Sequence, residues 1–302
     1  MSQLIDKIVQ AFNSILEYPV KKLLENAIGE QQLKSVLKFL QLSASGGSGN
    51  PNYAKVFEMI NLIFSVLKPI GFALVATFFI IHMIEVVSKD ALTLDSFIKG
   101  LIGLVLVISV AANAAEIMNA IFNLGEKLLM LVYNSITSPK NGTNLNSVIK
   151  NTASSMVTTY GAGSIAIALV IWLVHQIVII GIDVAAFSRI IDIGWRAACM
   201  PIGIANSFEG GVNSSGAKFF KGFVASVISG VVMVIICAIG FSLSAALLSS
   251  QAASLATKFV HKGAMTLIAE VIAVEFATMG AAIAAPTKTC LLYTSDAADD
   301  LI

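Results

Sequence analysis

Residues 222–257 read GFVASVISGVVMVIICAIGFSLSAALLSSQAASLAT, 36 residues without one Asp, Glu, Lys or Arg. About 20 such residues are enough to cross the hydrocarbon core of a bilayer as a helix. Two spans with a turn need about 40 or more, so the stretch reads as one span over 223–248 with a helical extension. The whole chain agrees. Of its 302 residues 57% are apolar and 12% charged, and the mean hydropathy is +0.86. An average soluble domain carries about 25% charged residues. A chain this poor in charge cannot clothe a soluble globule. The formal net charge of +1 argues against a basic nucleic-acid-binding domain. Cys199, Cys237 and Cys290 have no CxxC spacing, so neither a zinc knuckle nor a disulfide framework is indicated.

Working outward, the other apolar runs fall near 62–84, 98–115, 163–182 and 263–285. In the first, the only charge is Lys68, placed near one end and able to snorkel, with Pro69 after it. After Glu116 the pattern becomes amphipathic, with Ile117, Ile121, Leu124, Leu128 and Leu131 at helical spacing. One straight helix over 92–136 would be about 67 Å long, twice the hydrocarbon thickness. It must project, bend onto the surface, or hold a sixth span in 117–136. Residues 137–160 are rich in Ser, Thr and Asn, contain Pro139 and Gly142, and read as a loop. Small-xxx-small spacings such as Ser226/Gly230 and Ala277/Ala281 suit close helix packing. The expectation is an all-α polytopic membrane protein, with about five transmembrane helices in a domain over 53–288.

Residues 1–42 lack the uninterrupted apolar stretch of a secretory signal. Leu4, Ile8, Phe12 and Ile15 recur at helical spacing, and Pro19 is expected to end that helix. Leu33, Val36, Leu37 and Leu40 mark a second amphipathic stretch. This segment either binds a partner or membrane surface, or packs on the chain's own spans. Residues 43–52, SASGGSGNPN, form a linker. Orientation is undecided. With the N-terminus inside, 12 Lys and Arg fall inside and 7 outside, but without the six lysines before the first span the balance is 6 to 7.

Enzyme signatures are missing: no HExxH, no P-loop, no GxGxxG opening a helix. Gly161-Ala162-Gly163-Ser164 lacks the GxSxG order, and His261 has no acidic orienter in view. His82 and Glu85 are two ligands, too few for a metal site. No catalytic, cofactor or metal residue is assigned, and no enzyme activity is expected. Four ionisable residues fall in or beside spans: His175, Asp183, Glu270 and Glu275. Such groups usually face a bundle interior or an aqueous path. Asp183 lies on roughly the face of His175. Glu270 and Glu275 are about 140° apart around a helix and do not form a carboxylate pair.

Arg189, Asp192 and Arg196 are spaced by three and four and share one helix face, where Asp192 can bridge both arginines. Trp195 beside them suits a membrane interface. Pro201 and Gly203 then bend the chain, and Glu209-Gly210-Gly211 opens a loop. Arg189, Asp192, Arg196, Pro201, Glu209, Gly210 and Gly211 are the candidate docking residues.

The stretch 189–223, RIIDIGWRAACMPIGIANSFEGGVNSSGAKFFKGF, resembles the signature region of the TrbL-like conjugal transfer family. The matching features are the Arg/Asp/Arg face, Met200-Pro201-Ile202, the 205–211 segment, and Gly216 with Lys218 and Phe219 leading into a span. The version without a long soluble tail is most similar to those of Gram-positive mobile elements. The resemblance implies a non-enzymatic, multi-pass subunit of a bacterial type IV secretion system in the cytoplasmic membrane. Its partners would be other secretion subunits, further copies of itself and the lipid bilayer, with transferred DNA met only within the assembled channel. A small-molecule transporter or channel is the alternative. Residues 290–300, CLLYTSDAADD, resemble the conceptual translation of a transposon-type sequencing adapter. The tail 290–302 is therefore set aside, and the natural chain is expected to continue past Thr289.

Overall fold

A computed structural model describes residues 2–28, 34–37, 40, 51–88, 94–137, 145–205, 214–254 and 260–293. Among the described residues there is no strand. The helices are α1 (Ser2–Ile28), α2 (Pro51–Ser88), α3 (Leu94–Ala112), α4 (Ala114–Thr137), α5 (Leu145–Tyr160), α6 (Gly163–Ala198), α7 (Met200–Ala205), α8 (Ser215–Ser254) and α9 (Val260–Tyr293).

Four segments are long and apolar enough to cross a membrane: Lys55–Ser88, Gly163–Ala198, Ser215–Leu248 and Ile268–Thr289. A fifth arises if Phe97–Ala112 and Ala114–Ile136, bent by 59° about Asn113, count as one broken span. The protein is thus a polytopic all-α membrane protein. The bend answers the 67 Å problem: the chain turns at Asn113 instead of running straight. Few hydrogen bonds are lost there. The Asn113 amide donates to the Ser109 carbonyl at 3.2 Å and Ile117 to that of Asn113 at 3.0 Å. Lys68 Nζ donates to the Ala112 carbonyl at 3.2 Å, capping the broken end with a cation where the helix dipole is negative. Lys68 therefore lies midway along α2, not near a helix end as its place in the 62–84 run implied.

Three boundaries differ from the sequence reading. Pro19 does not end α1, which continues to Ile28. Beyond the proline, Val20, Leu24 and Ala27 are buried, and this packing outweighs the one backbone hydrogen bond that proline removes. The expected loop over 137–160 contains α5. Its Ile149, Ala153, Met156 and Val157 recur at helical spacing and are buried, and α5 packs on α1. Two of its hydroxyls are satisfied within the helix, those of Thr158 and Thr159 donating to the carbonyls of Ser154 and Ser155. The span expected at 163–182 belongs to a helix that runs on unbroken to Ala198.

Helix ends follow local chemistry. Pro51 opens α2, where its missing N–H costs nothing. Gly161, at φ 56°, takes the left-handed conformation that closes α5. Ser214 Oγ accepts the Ala217 amide at 3.1 Å and caps α8. The linker 43–52 lies outside the described residues up to residue 50, and so does the tail from residue 294.

The chain forms two compact units. One comprises Met1–Leu40, Leu129–Ala186 and Val231–Ala284; the other comprises Gln41–Leu128, Phe187–Gly230 and Ala285–Ile302. In the first, α1 and α5 pack on one another. In the second, Phe57, Ile60 and Phe64 of α2, Met118 and Phe122 of α4, Ile190 and Ile193 of α6, Met200 of α7 and Phe223 of α8 build the core. Phe122 is its hub, edge-on to Phe57 at 5.3 Å and to Phe223 at 5.5 Å between ring centroids. α7 packs on α2 and α3, and a Cβ on Gly71 of α2 would lie 2.7 Å from the Pro201 carbonyl oxygen.

Candidate functional site

The two groups of polar residues marked in the sequence fall in different units, and each is built separately.

In the second unit, Asp192 is the acceptor of a small network. Arg196 Nε donates to its Oδ1 at 3.0 Å and Oδ2 at 3.1 Å, and Trp195 Nε1 donates to Oδ1 at 2.9 Å. Ser226 Oγ of α8 donates to Oδ2. The Arg196 guanidinium also lies 4.9 Å from the Trp195 ring centroid. The expected bridge from Asp192 is thus made to Arg196, while Arg189 takes other partners. Arg189 is 3% exposed, and its Nε and Nη2 donate to the backbone carbonyls of Ser226 and Val227 at 3.0 and 2.8 Å. A planar fork of donors suits two successive carbonyls of one helix turn. Glycine makes the approach possible. A Cβ on Gly230 would collide with the Arg189 guanidinium, and one on Gly222 with that of Arg196.

The arginine face therefore points inward, between α6 and α8 of this unit. Arg189 is closed to a neighbouring subunit, whereas the side chains of Arg196 and Asp192 keep 21% and 33% exposure. What α6 presents outward is apolar: Phe187, Ile191 and Trp195 are all exposed. Pro201 is buried in α7, and Cys199 marks the turn that starts it. Glu209, Gly210 and Gly211 lie outside the described residues.

In the first unit, His175 of α6 and Glu275 of α9 are brought together across 100 residues of sequence. Nδ1 lies 3.0 Å from Oε2, and the side chains are 0% and 1% exposed. Ser244 of α8 donates to Oε1 at 3.1 Å. Phe241 lies against the imidazole, 5.4 Å between ring centroids. The helices meet closely here: a Cβ on Gly181 would strike Met279, and one on Gly240 would strike Thr278. Asp183 is half-buried further along α6, and the partner of His175 is Glu275 instead. Glu270 is half-buried on the same helix as Glu275.

The pairing was missed because spacing arguments see only one helix at a time. A signal existed nonetheless. His175 and Glu275 each sit well inside an apolar run, where an ionisable group needs a neutralising partner. Among the described residues, no three of His, Cys, Asp and Glu gather in a metal-binding arrangement. An open apolar groove of about 630 Å³ runs between α4 and α8 of this unit, lined by Leu131, Ile136, Ile235, Ile239 and Leu243.

Comparison of the chain with protein-family models, with curated proteins and with solved structures finds no match.

Proposed function

We propose that the chain is a channel or scaffold subunit of a conjugative type IV secretion system, passing DNA or protein across the cytoplasmic membrane of a bacterium. The observation that carries this reading is the 189–223 segment. It resembles the TrbL-like signature, and its described residues, 189–205 and 214–223, form an internally braced element. Asp192, Arg196, Trp195 and Ser226 are bonded to one another, and Arg189 is bonded to the α8 backbone. Such a brace would fix the exposed ridge of Phe187, Ile191 and Trp195, which is chemically suited to lipid or to the apolar flank of another membrane subunit. In this reading the partners are other secretion subunits and further copies of the chain.

The test is deletion and complementation in a donor cell, with transfer frequency and membrane abundance measured together. Loss of transfer on deletion, restored by the wild-type gene, is expected; undiminished transfer would reject the proposal. For the segment itself, Arg196→Ala at normal abundance should lower transfer and co-purification of partner subunits. A parallel fall of abundance and transfer would assign Arg196 to folding alone.

A second reading, a small-molecule transporter or channel, draws support from the buried His175–Glu275 pair, because paired ionisable groups inside a bundle often mark ion and solute paths. Purified protein in proteoliposomes separates the two readings. A transporter moves solute unaided, and a secretion subunit does not.

A further inference from the structure

His175 and Glu275 are fully buried on two helices that are each apolar enough to cross a membrane. The 3.0 Å between Nδ1 and Oε2 is the separation of two atoms that share one hydrogen. The second carboxyl oxygen is occupied by the Ser244 hydroxyl. The remaining polar atom of the cluster, His175 Nε2, is buried and has no hydrogen-bond partner among the described residues.

Consider the charge this cluster can tolerate. A neutral imidazole beside an ionised carboxylate leaves one full negative charge out of water, with the Ser244 hydroxyl as its other donor among the described residues. Burying such a charge is costly unless it is neutralised. One further proton removes it, whether the proton rests on the carboxyl group or makes an imidazolium. Among the described residues, the bonds to this carboxyl group come from an imidazole and a hydroxyl, not from an amine or guanidinium.

We propose that His175, Glu275 and Ser244 form a proton-binding site inside the membrane domain, and that the bound proton clasps α6, α8 and α9 of this unit together. The step balances simply. A hydronium ion loses one O–H bond and leaves as water, one N–H or O–H bond forms in the cluster, and no electrons change hands. Nε2 is the open position. In the empty form, with the hydrogen on Nδ1, Nε2 carries a bare lone pair. A proton delivered there gives the imidazolium–carboxylate form at once. In the loaded forms with an imidazolium, or with the carboxyl hydrogen on Oε2 donating to Nδ1, Nε2–H is a donor, able to pass the proton to a water that reaches it. Loss of the proton leaves the charge uncompensated, and the helices are driven apart to let water in.

The other titratable groups on the described parts of these three helices within the unit are Asp183 on α6, Cys237 on α8, and His261, Lys262 and Glu270 on α9. The Cys237 thiol lies within electrostatic reach of both Glu275 and Asp183. The inference does not rest on the secretion reading, and holds for either function above.

The test uses the full chain in lipid nanodiscs. Infrared spectra of the wild type across neutral pH should contain either a protonated carboxyl band that shifts in deuterium oxide and is lost in Glu275→Gln, or an imidazolium ring signal lost in His175→Gln. Amide hydrogen exchange is followed in parallel over 171–178, 241–248 and 271–278. As pH rises and the site empties, local opening in the wild type should increase by up to about tenfold per pH unit, the limit for one linked proton. Intrinsic exchange is subtracted using an unstructured peptide. Glu275→Gln, whose amide can still donate to Nδ1, should stay closed and lose this excess slope. Equal slopes in wild type and Glu275→Gln would move the linkage to another titratable group and overturn the proposal. A wild type with neither infrared signal at any pH would overturn it as well, and that measurement needs no variant to fold.

Discussion

A methyl group on Gly230 would enter the space of the Arg189 guanidinium, and one on Gly222 the space of Arg196. Both clashes involve a charged group already bonded, to the Ser226 and Val227 carbonyls or to Asp192. Gly230→Ala is expected to cost about 1–3 kcal/mol, as overpacking does. It should lower the thermal midpoint in detergent more than Gly280→Ala, where a Cβ meets open space. Arg189→Lys should also destabilise, because a lysine ammonium cannot reproduce the two-pronged bond to successive carbonyls. A thermal midpoint for Arg189→Lys equal to wild type would show that charge alone is needed there. The Arg/Asp/Arg face was legible from spacing. Its inward direction was not, because the glycines that admit the guanidinium groups lie on another helix.

At the scale of elements, α5 is the instructive failure of the sequence reading. Ser, Thr and Asn suggested a loop, yet Ile149, Ala153, Met156 and Val157 define a buried stripe. Composition and periodicity disagreed, and periodicity was right because α1 supplies a partner face. Two polar atoms of α5 are buried without a partner among the described residues, Thr152 Oγ1 and Tyr160 Oη. Thr152→Val removes an unsatisfied hydroxyl at nearly constant shape. It is expected to stabilise the fold by about 1 kcal/mol, seen as a higher thermal midpoint. Tyr160 adds a pH effect. Burial pushes its phenol above the ordinary 10.0, so the unfolded chain loses this proton first. The contribution is fully present below pH 10 and is lost as pH rises past it. Tyr160→Phe should therefore lose less stability than wild type between neutral pH and strongly alkaline pH, measured by denaturation at each pH.

For the molecule as a whole, the apolar runs located the spanning helices because charges are sparse within them, with Lys68 and Glu275 among the few interior exceptions. They did not give the helix lengths, since α6 and α8 continue well beyond what a bilayer requires. Nor could one-dimensional reading find the His175–Glu275 contact, made between helices far apart in sequence. The number of crossings has a direct consequence for topology. α3 is 19 residues, about 28 Å, slightly short of the hydrocarbon core on its own, and it continues through the bend into α4. Taken as one broken span, the pair brings the crossings among the described residues to five, so reporters fused near residue 50 and after residue 293 should lie on opposite sides of the membrane. The same side for both would mean that the bent pair returns to the face it entered from.

The glycine seats beneath the two arginines also constrain how the chain can change over generations. A side chain at Gly230 is disfavoured while Arg189 is in place, and loss of the arginine removes the nearest atoms it would meet. The order of substitution is therefore biased: arginine first, glycine second. The same bias links Arg196 to Gly222. Among descendants of this sequence, arginine with a filled seat should be the rare combination, and glycine without its arginine the trace of a step half taken.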